Sequence, residues 1–265
     1  MRVIAAFLSV VVLAGGAYAA DPPVLSRARA LYNAADYEGA ITAAALARMQ
    51  PGAADAAALV DARARLERYR QSADPTDLSS ARDALSEIRS ALLSPRDQVD
   101  FLIGLGQSLY FTDLFGAAAE LFDTALARRA LLPARDRMML LDWWATALDR
   151  EAQVATAPRR ARLAGQIAAR MQEELRVDPG SAPANYWLAV AARGSGDLDA
   201  AWDAAVAAWV RASFGPGTSE LRADIDRLVT QALIPERAHA RPAREQADVA
   251  DSLRSQWNLI KEQWK

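Results

Sequence analysis

The chain has 265 residues, enough for one large domain or two small ones, and 52% of its residues are hydrophobic. Its formal charge of -2 lacks the basic excess that nucleic-acid binding normally uses, so DNA and RNA are not expected partners. It contains no cysteine, which excludes disulfides, thiolate metal sites and cysteine nucleophiles.

Residues 1–20 have the layout of a secretory signal peptide, because Arg2 is followed by an apolar stretch and then by small residues. The apolar stretch is shorter than the roughly 20 residues that a membrane span needs. We therefore expect cleavage after Ala19 or Ala20, a periplasmic or secreted location, and no membrane insertion of the mature chain, residues 21–265.

The mature chain is predicted to be helical, because apolar residues recur at spacings of three and four and alternating β-type runs are absent. Helix starts are marked at 74–77 and 94–97, where a capping residue precedes Pro and a carboxylate follows two residues later. About a dozen helices joined by short turns are expected. The predicted breaks are at 50–52, 132–133, 178–180, 215–217 and 235–242.

Three stretches of the chain carry a shared order of large and small residues. The clearest, within 101–130, has Leu102, Leu105, Gly106, Leu109, Ala118, Phe122 and Ala125. The second has Leu188, Ala189, Ala192, Leu198, Ala201, Ala205 and Ala208. The third has Val24, Ala28, Leu31, Tyr37, Ala40 and Ala47, with Arg27 at a position that is usually apolar. This order resembles that of tetratricopeptide repeats.

The resemblance implies a right-handed α-solenoid of about five to six helical hairpins. In such a hairpin two helices cross closely only if small residues, here Gly106 and Ala118, meet at the crossing. A single hairpin buries too little apolar area to be stable, so neighbouring hairpins must stack.

The resemblance also implies a binding face, since the first helix of each tetratricopeptide hairpin lines a concave groove that holds peptides or partner helices. The residues matching that face are Arg29, Tyr32, Asn33, Ile103, Gln107, Tyr110, Phe111, Tyr186, Val190 and Arg193. For Tyr110 and Phe111, packing into neighbouring hairpins is an equally good interpretation.

Catalytic and metal sites are not expected. The one histidine, His239, lies between prolines without a sign of a nucleophile or an orienting group beside it. Of the adjacent acids, Asp197 is better explained as a helix cap, with Asp199 two residues later, and the pair at 173–174 as solvated surface. We therefore predict no cofactor and no metal.

Tryptophans and arginines in the second half of the chain also have structural explanations. Trp202 and Trp209 are seven residues apart, on one face of a helix, and are predicted to be core. The adjacent tryptophans at 143–144 are expected to be buried between neighbouring helices. The arginines within 159–162 lie in the first turn of a helix, where the dipole disfavours positive charge. A solvated rim without a role is the favoured interpretation, and compensation by an acidic neighbour or partner is the alternative.

The C-terminal segment, residues 247–265, is predicted to form a capping helix. Its apolar stripe consists of Val249, Leu253, Trp257, Ile260 and Trp264. The charges of this segment are balanced, whereas a helix lying on a membrane usually has a basic polar face. The stripe is therefore expected to cover the last hairpin.

These features together favour an exported scaffold or adaptor that binds a protein or peptide, and not an enzyme. Two other functions stay open at this point. One is a structural subunit of an envelope assembly that uses its ends or convex side. The other is a non-catalytic arm of the kind that accompanies some peptidoglycan-cleaving enzymes.

Overall fold

A computed structural model describes residues 21–215 and 218–265, and within these ranges all regular structure is helical, without any strand. This confirms the predicted all-α class. The predicted signal peptide, residues 1–20, and the pair 216–217 lie outside the described residues. The α-helices are α1 (Pro23–Asn33), α2 (Tyr37–Ala47), α3 (Ala54–Ser72), α4 (Pro75–Glu87), α5 (Pro95–Tyr110), α6 (Phe115–Leu126), α7 (Ala134–Val154), α8 (Ala157–Val177), α9 (Ala182–Ser195), α10 (Leu198–Ala212), α11 (Ser219–Leu228), α12 (Ile234–His239) and α13 (Gln246–Gln263).

The predicted helix starts are confirmed by their capping hydrogen bonds. Asp74 and Ser94 precede the prolines that begin α4 and α5, and each side chain accepts a hydrogen bond from a backbone N–H of the first turn. Asp36, Ser181 and Asp197 cap α2, α9 and α10 in the same way. Local sequence therefore sets where these helices begin.

The chain divides into two compact units, residues 1–147 and 148–265, and the boundary falls within α7. In unit 1, residues 1–147, consecutive helices pack as neighbours: α1 on α2, α2 on α3, α3 on α4 and α5 on α6. Because the turns between them are short, successive helices run in opposite directions and their turns alternate between two ends of the unit.

Helices α5 and α6 cross closely. A Cβ atom added at Gly106 would lie 2.4 Å from Cε1 of Phe122, well inside van der Waals contact. Both Phe122 and Ala118 are fully buried. A glycine is therefore required at this crossing, as its place in the large-and-small order predicts.

In unit 2, residues 148–265, the C-terminal helix α13 lies against the core. Trp257 is 1% exposed, and its ring meets those of Trp202 and Trp209 at centroid distances of 6.2 and 5.3 Å. Its Nε1 donates a hydrogen bond of 2.7 Å to Asp226. The apolar stripe of α13 therefore packs against the helices of its own unit.

One predicted helix break begins later than expected. The break predicted at 235–242 falls after His239, because the helical segment that begins at Ser219 continues through Pro235 to that residue. A π-helical turn, Val229–Leu233, lies directly before it. Because proline has no N–H to donate, a wider turn at this place lets the helix continue without the missing hydrogen bond.

Within the described residues, no helix combines the length and the apolar character that crossing a membrane requires.

Candidate functional site

The predicted inner-face residues of unit 1 lie together, and most of their surface is buried. Tyr32 on α1 and Ile103, Gln107 and Tyr110 on α5 are each less than 7% exposed. The remaining three, Arg29, Asn33 and Phe111, are half-buried. The inner faces of α1 and α5 thus pack against other helices of the unit.

Arginine–aspartate pairs connect the first helices of the hairpins in unit 1. Nη1 of Arg29 on α1 lies 2.8 Å from Oδ1 of Asp97 on α5, and a second bond makes the pair bidentate. Nη1 of Arg63 on α3 lies 2.8 Å from Oδ1 of Asp100 on α5. Because the side chain of Arg29 on α1 reaches Asp97 on α5, side chains of the inner faces themselves fill the space between these helices.

The ion pairs continue to α7 and are deeply buried. Arg96 on α5 donates to Asp100 and, at 2.8 Å, to Asp136 on α7. The side chain of Asp100 is fully buried and those of Arg63 and Arg96 are at most 9% exposed. Such pairs add little net stability, but removing one partner strands a buried charge. We therefore interpret this arginine–aspartate network as what fixes the register of the four helices.

The electrostatics of the network favour charged arginines. Burial by itself lowers the pKa of Arg29, but the hydrogen bond and charge of Asp97 raise it overall. Burial raises the pKa of Tyr32, which therefore stays neutral. Burial also raises the pKa of Asp136, and Arg96 only partly opposes this effect. Asp136 consequently takes up a proton more readily than an isolated aspartate does.

Two small recesses lie beside the network, with empty volumes of about 200 and 320 Å³ when open solvent is counted. Tyr32 lines the first, Gln107 the second and Arg63 both. The hydroxyl of Tyr32, Nε of Arg63 and Oε1 of Gln107 are buried without a hydrogen-bond partner. These atoms can hold ordered water in the recesses, which is the usual way that buried polar groups are satisfied.

Tyr110 and Phe111 pack into neighbouring helices, one of the two interpretations left open by the sequence. The ring centroid of Trp143 on α7 lies 5.0 Å from that of Tyr110 and 5.8 Å from that of Phe111, both edge to face. Phe111 also meets the ring of Tyr69 on α3 at 5.0 Å. These aromatics join α3, α5 and α7 within unit 1.

The predicted residues of unit 2 are more accessible. Tyr186 and Val190 on α9 are half-buried, and the side chain of Arg193 is 39% exposed. Arg193 donates to both carboxylate oxygens of Glu236 on α12, and this hydrogen bonding raises the pKa of Arg193. The three side chains form a stripe along α9 that solvent can reach.

The histidine and acids weighed as catalytic candidates have structural positions. His239 is exposed at the end of α12. Asp197 caps α10, and Asp199 pairs with an arginine of α12 at 2.6 Å. Glu173 is exposed as expected, but Glu174 is only 7% exposed, so the expectation that both are solvated is wrong for Glu174. Its place on the buried stripe of α8 explains this difference.

Two of the arginines that begin α8, Arg159 and Arg160, have neighbours that compensate their charge, which was the less favoured of the two interpretations of the sequence. Nη2 of Arg159 pairs with Glu151 at 2.5 Å. Arg160 donates to the backbone carbonyls of Ala152 and Ala155, at the C-terminal end of α7. Their charge therefore stabilises the end of the preceding helix, where the dipole favours cations.

Sequence reasoning missed the charged residues at the centre of unit 1. Arg63 and Glu67 lie on α3, Asp100 lies on α5 and Asp136 lies on α7, and all four are buried. A usable signal was present, since α3 has small or apolar residues on all sides and its charges cannot all face solvent. The part of the chain that the structure describes contains no group of three or more histidine, aspartate or glutamate residues placed to hold a metal ion.

Comparison of this chain with protein-family models, with curated proteins and with solved structures found no match.

Proposed function

We propose that the chain is an exported module of stacked helical hairpins, similar to a tetratricopeptide array, that binds a protein or peptide as a scaffold or adaptor. In this proposal residues 1–20 are a signal peptide and the mature chain works in the periplasm or outside the cell. Binding requires no cofactor.

The observation that carries the proposal is the accessible stripe on α9. Tyr186, Val190 and Arg193 combine an aromatic ring, an aliphatic side chain and a guanidinium on one helix face. This combination supplies anchoring area and directional hydrogen bonds, which are the features of protein-binding hot spots. The inner face of unit 1 offers less, since its own ion pairs and aromatic rings occupy it.

The pairing of Arg193 with Glu236 supports the same surface. Both side chains remain more than a third exposed although they are joined by three hydrogen bonds. An exposed pair of this kind adds at most about 1 kcal/mol to stability. Its guanidinium is held in a fixed orientation, so a partner carboxylate or backbone carbonyl meets a preorganised donor.

Site-specific photo-crosslinking tests the proposal. A photoreactive amino acid replaces Val190 in the chain produced in its host, and a matched probe replaces Asp203, an exposed residue of α10. We expect one specific protein adduct from the Val190 probe and none from the Asp203 probe. Equal adducts from both positions, or an adduct from Asp203 alone, would show that the α9 stripe is not the binding surface.

Substitution of Arg193 gives the quantitative measurement. Once the adduct identifies a partner, Arg193→Ala should weaken its binding by about 1–2 kcal/mol, roughly tenfold. Arg254→Ala, at an exposed ion pair of α13, is the control and should leave the affinity unchanged. Equal affinity of the wild-type chain and Arg193→Ala would contradict the assigned role.

A further inference from the structure

Three turns at one end of unit 1 carry exposed apolar side chains. These turns are residues 48–53, 88–94 and 127–133, which follow α2, α4 and α6, and we refer to them together as the turn rim. Met49 is 82% exposed, Leu92 63% and Leu131 39%, one in each turn. Large apolar residues at three successive turn tips are not explained by packing within the unit.

Contacts between the turns show that they are neighbours. Arg48 in the first turn pairs at 2.8 Å with Glu87, the residue just before the second turn. Arg96, just after the second turn, donates a hydrogen bond of 2.7 Å to the backbone carbonyl of Leu131 in the third. The three apolar tips therefore belong to one row along the same end of unit 1.

The turn rim is basic, and the opposite end of the unit is acidic. The rim contains Arg48, Arg89, Arg128 and Arg129 and no acidic residue. Arg48 and Arg89 pair with Glu87 and Asp55 of the flanking helices, which leaves the positive charge of the rim at Arg128 and Arg129. The turns at the other end, residues 34–36, 73–74 and 111–114, contain three aspartates and no lysine or arginine. The whole chain carries a formal charge of only -2. The separation of basic and acidic ends therefore orients unit 1 in the field of a charged surface.

Helix electrostatics explain only part of this pattern. Arginines at helix C-terminal ends interact favourably with the dipole, and Arg89 also pairs with Asp55 at 2.8 Å. Neither effect explains why Met49 and Leu92 are apolar, since a polar side chain at these exposed positions would not reduce the stability of the unit. The apolar tips and the arginines together thus indicate a binding surface.

We propose that the turn rim binds an anionic lipid surface. Met49, Leu92 and Leu131 enter the headgroup layer, and Arg128 and Arg129 contact lipid phosphates. A lipid surface fits better than a folded partner, because these side chains project from turns and do not line the recesses beside the arginine–aspartate network. No helix inserts, and the contact is independent of the protein-binding stripe on α9.

Vesicle co-sedimentation tests the proposal. The protein is purified in its exported form and mixed with vesicles of phosphatidylcholine containing phosphatidylglycerol, or of phosphatidylcholine alone. We expect binding to the anionic vesicles and little to the neutral ones, with a steep loss as salt screens the arginines. Arg129→Ser should lower the partition coefficient about fivefold, and the double variant Met49→Ser/Leu92→Ser about tenfold.

Matched variants keep the result specific to the turn rim. Arg82→Ser changes an exposed arginine in the middle of α4, and Leu114→Ser an exposed leucine at the opposite end of unit 1. Both should bind vesicles like the wild-type chain, and thermal melts should show that all four variants are folded. Absence of binding to anionic vesicles, equal losses in rim and control variants, or rim-dependent binding to a soluble acidic protein instead of vesicles would overturn the proposal.

Discussion

Replacing Gly106 by alanine is expected to destabilise unit 1, although alanine is the better helix former. The added methyl group would lie 2.4, 2.7 and 3.0 Å from three ring atoms of Phe122. Phe122 is fully buried, with its ring 6.0 Å from that of Trp143, so it has little room to move. The backbones of α5 and α6 must therefore separate.

The magnitude follows from two opposing effects. Overpacking in a core costs about 1–3 kcal/mol, and contact with three atoms of a rigid ring places this case near the upper value. Alanine regains about 1 kcal/mol of helix propensity. The net expectation is a loss of about 1–2 kcal/mol in the free energy of unfolding.

Urea unfolding followed by far-UV circular dichroism measures this difference against a matched control. Gly165 lies inside α8, and an added Cβ would meet nothing within 4 Å, so Gly165→Ala should gain about 1 kcal/mol. The double variant Gly106→Ala/Phe122→Leu should recover part of the loss, because the smaller side chain makes room. If Gly106→Ala is as stable as the wild-type chain, the close crossing of α5 and α6 is refuted.

Three further predictions concern the cap and the charged groups. Trp257→Ala should lower the free energy of unfolding by about 3–5 kcal/mol, because its ring is enclosed. Leu259→Ala, at an exposed position of the same helix, should change this free energy by no more than about 0.5 kcal/mol in thermal melts. Similar losses for the two variants would contradict the packing of α13. Asp100→Asn should cost about 3–5 kcal/mol, because the buried Arg63 loses its charged partner and the buried Arg96 loses one of two. Asp251→Asn, at an exposed pair, should cost at most about 1 kcal/mol in urea unfolding. A loss for Asp100→Asn below that for Asp251→Asn would disprove the network's role. Burial raises the pKa of Asp226, but hydrogen bonds from α13 lower it overall. The stabilisation from ionised Asp226 is therefore present at neutral pH and is lost as the pH falls through the lowered pKa. Asp226→Asn should remove part of the acid sensitivity of the urea midpoint, and an unchanged pH profile would exclude this contribution.

Much of the local structure could be predicted from particular residues. Asp74 and Ser94 mark helix starts, because the side-chain oxygen of each accepts a hydrogen bond from a backbone N–H two or three residues later. This interaction is local and does not depend on the rest of the fold. The apolar stripe with Trp257 at its centre predicts a packed C-terminal helix by its spacing alone. Pro235 is the exception, since the π-helical turn before it depends on how the whole segment packs.

The candidate site shows where prediction from sequence stops. The spacing of Arg29 and Tyr32 places them on one face of their helix, and Gln107 shares a face with Ile103, but spacing carries no information on what lies opposite that face. Arg29 turns out to pair with Asp97, which is 68 residues away in sequence. Whether such a pair forms depends on the positions of α1, α3 and α5 relative to one another. Those positions are set by the packing angles between successive helices.

The sequence by itself determined the all-helical class, the capped helix starts and the need for a glycine at position 106, because each depends on interactions within one helix or between adjacent ones. Only the tertiary structure decided that the inner face of unit 1 is filled by arginine–aspartate pairs and that Met49, Leu92 and Leu131 form one exposed row. These features join residues from helices and turns distant in the chain. Their placement is set by the packing of the complete unit, which no local pattern encodes.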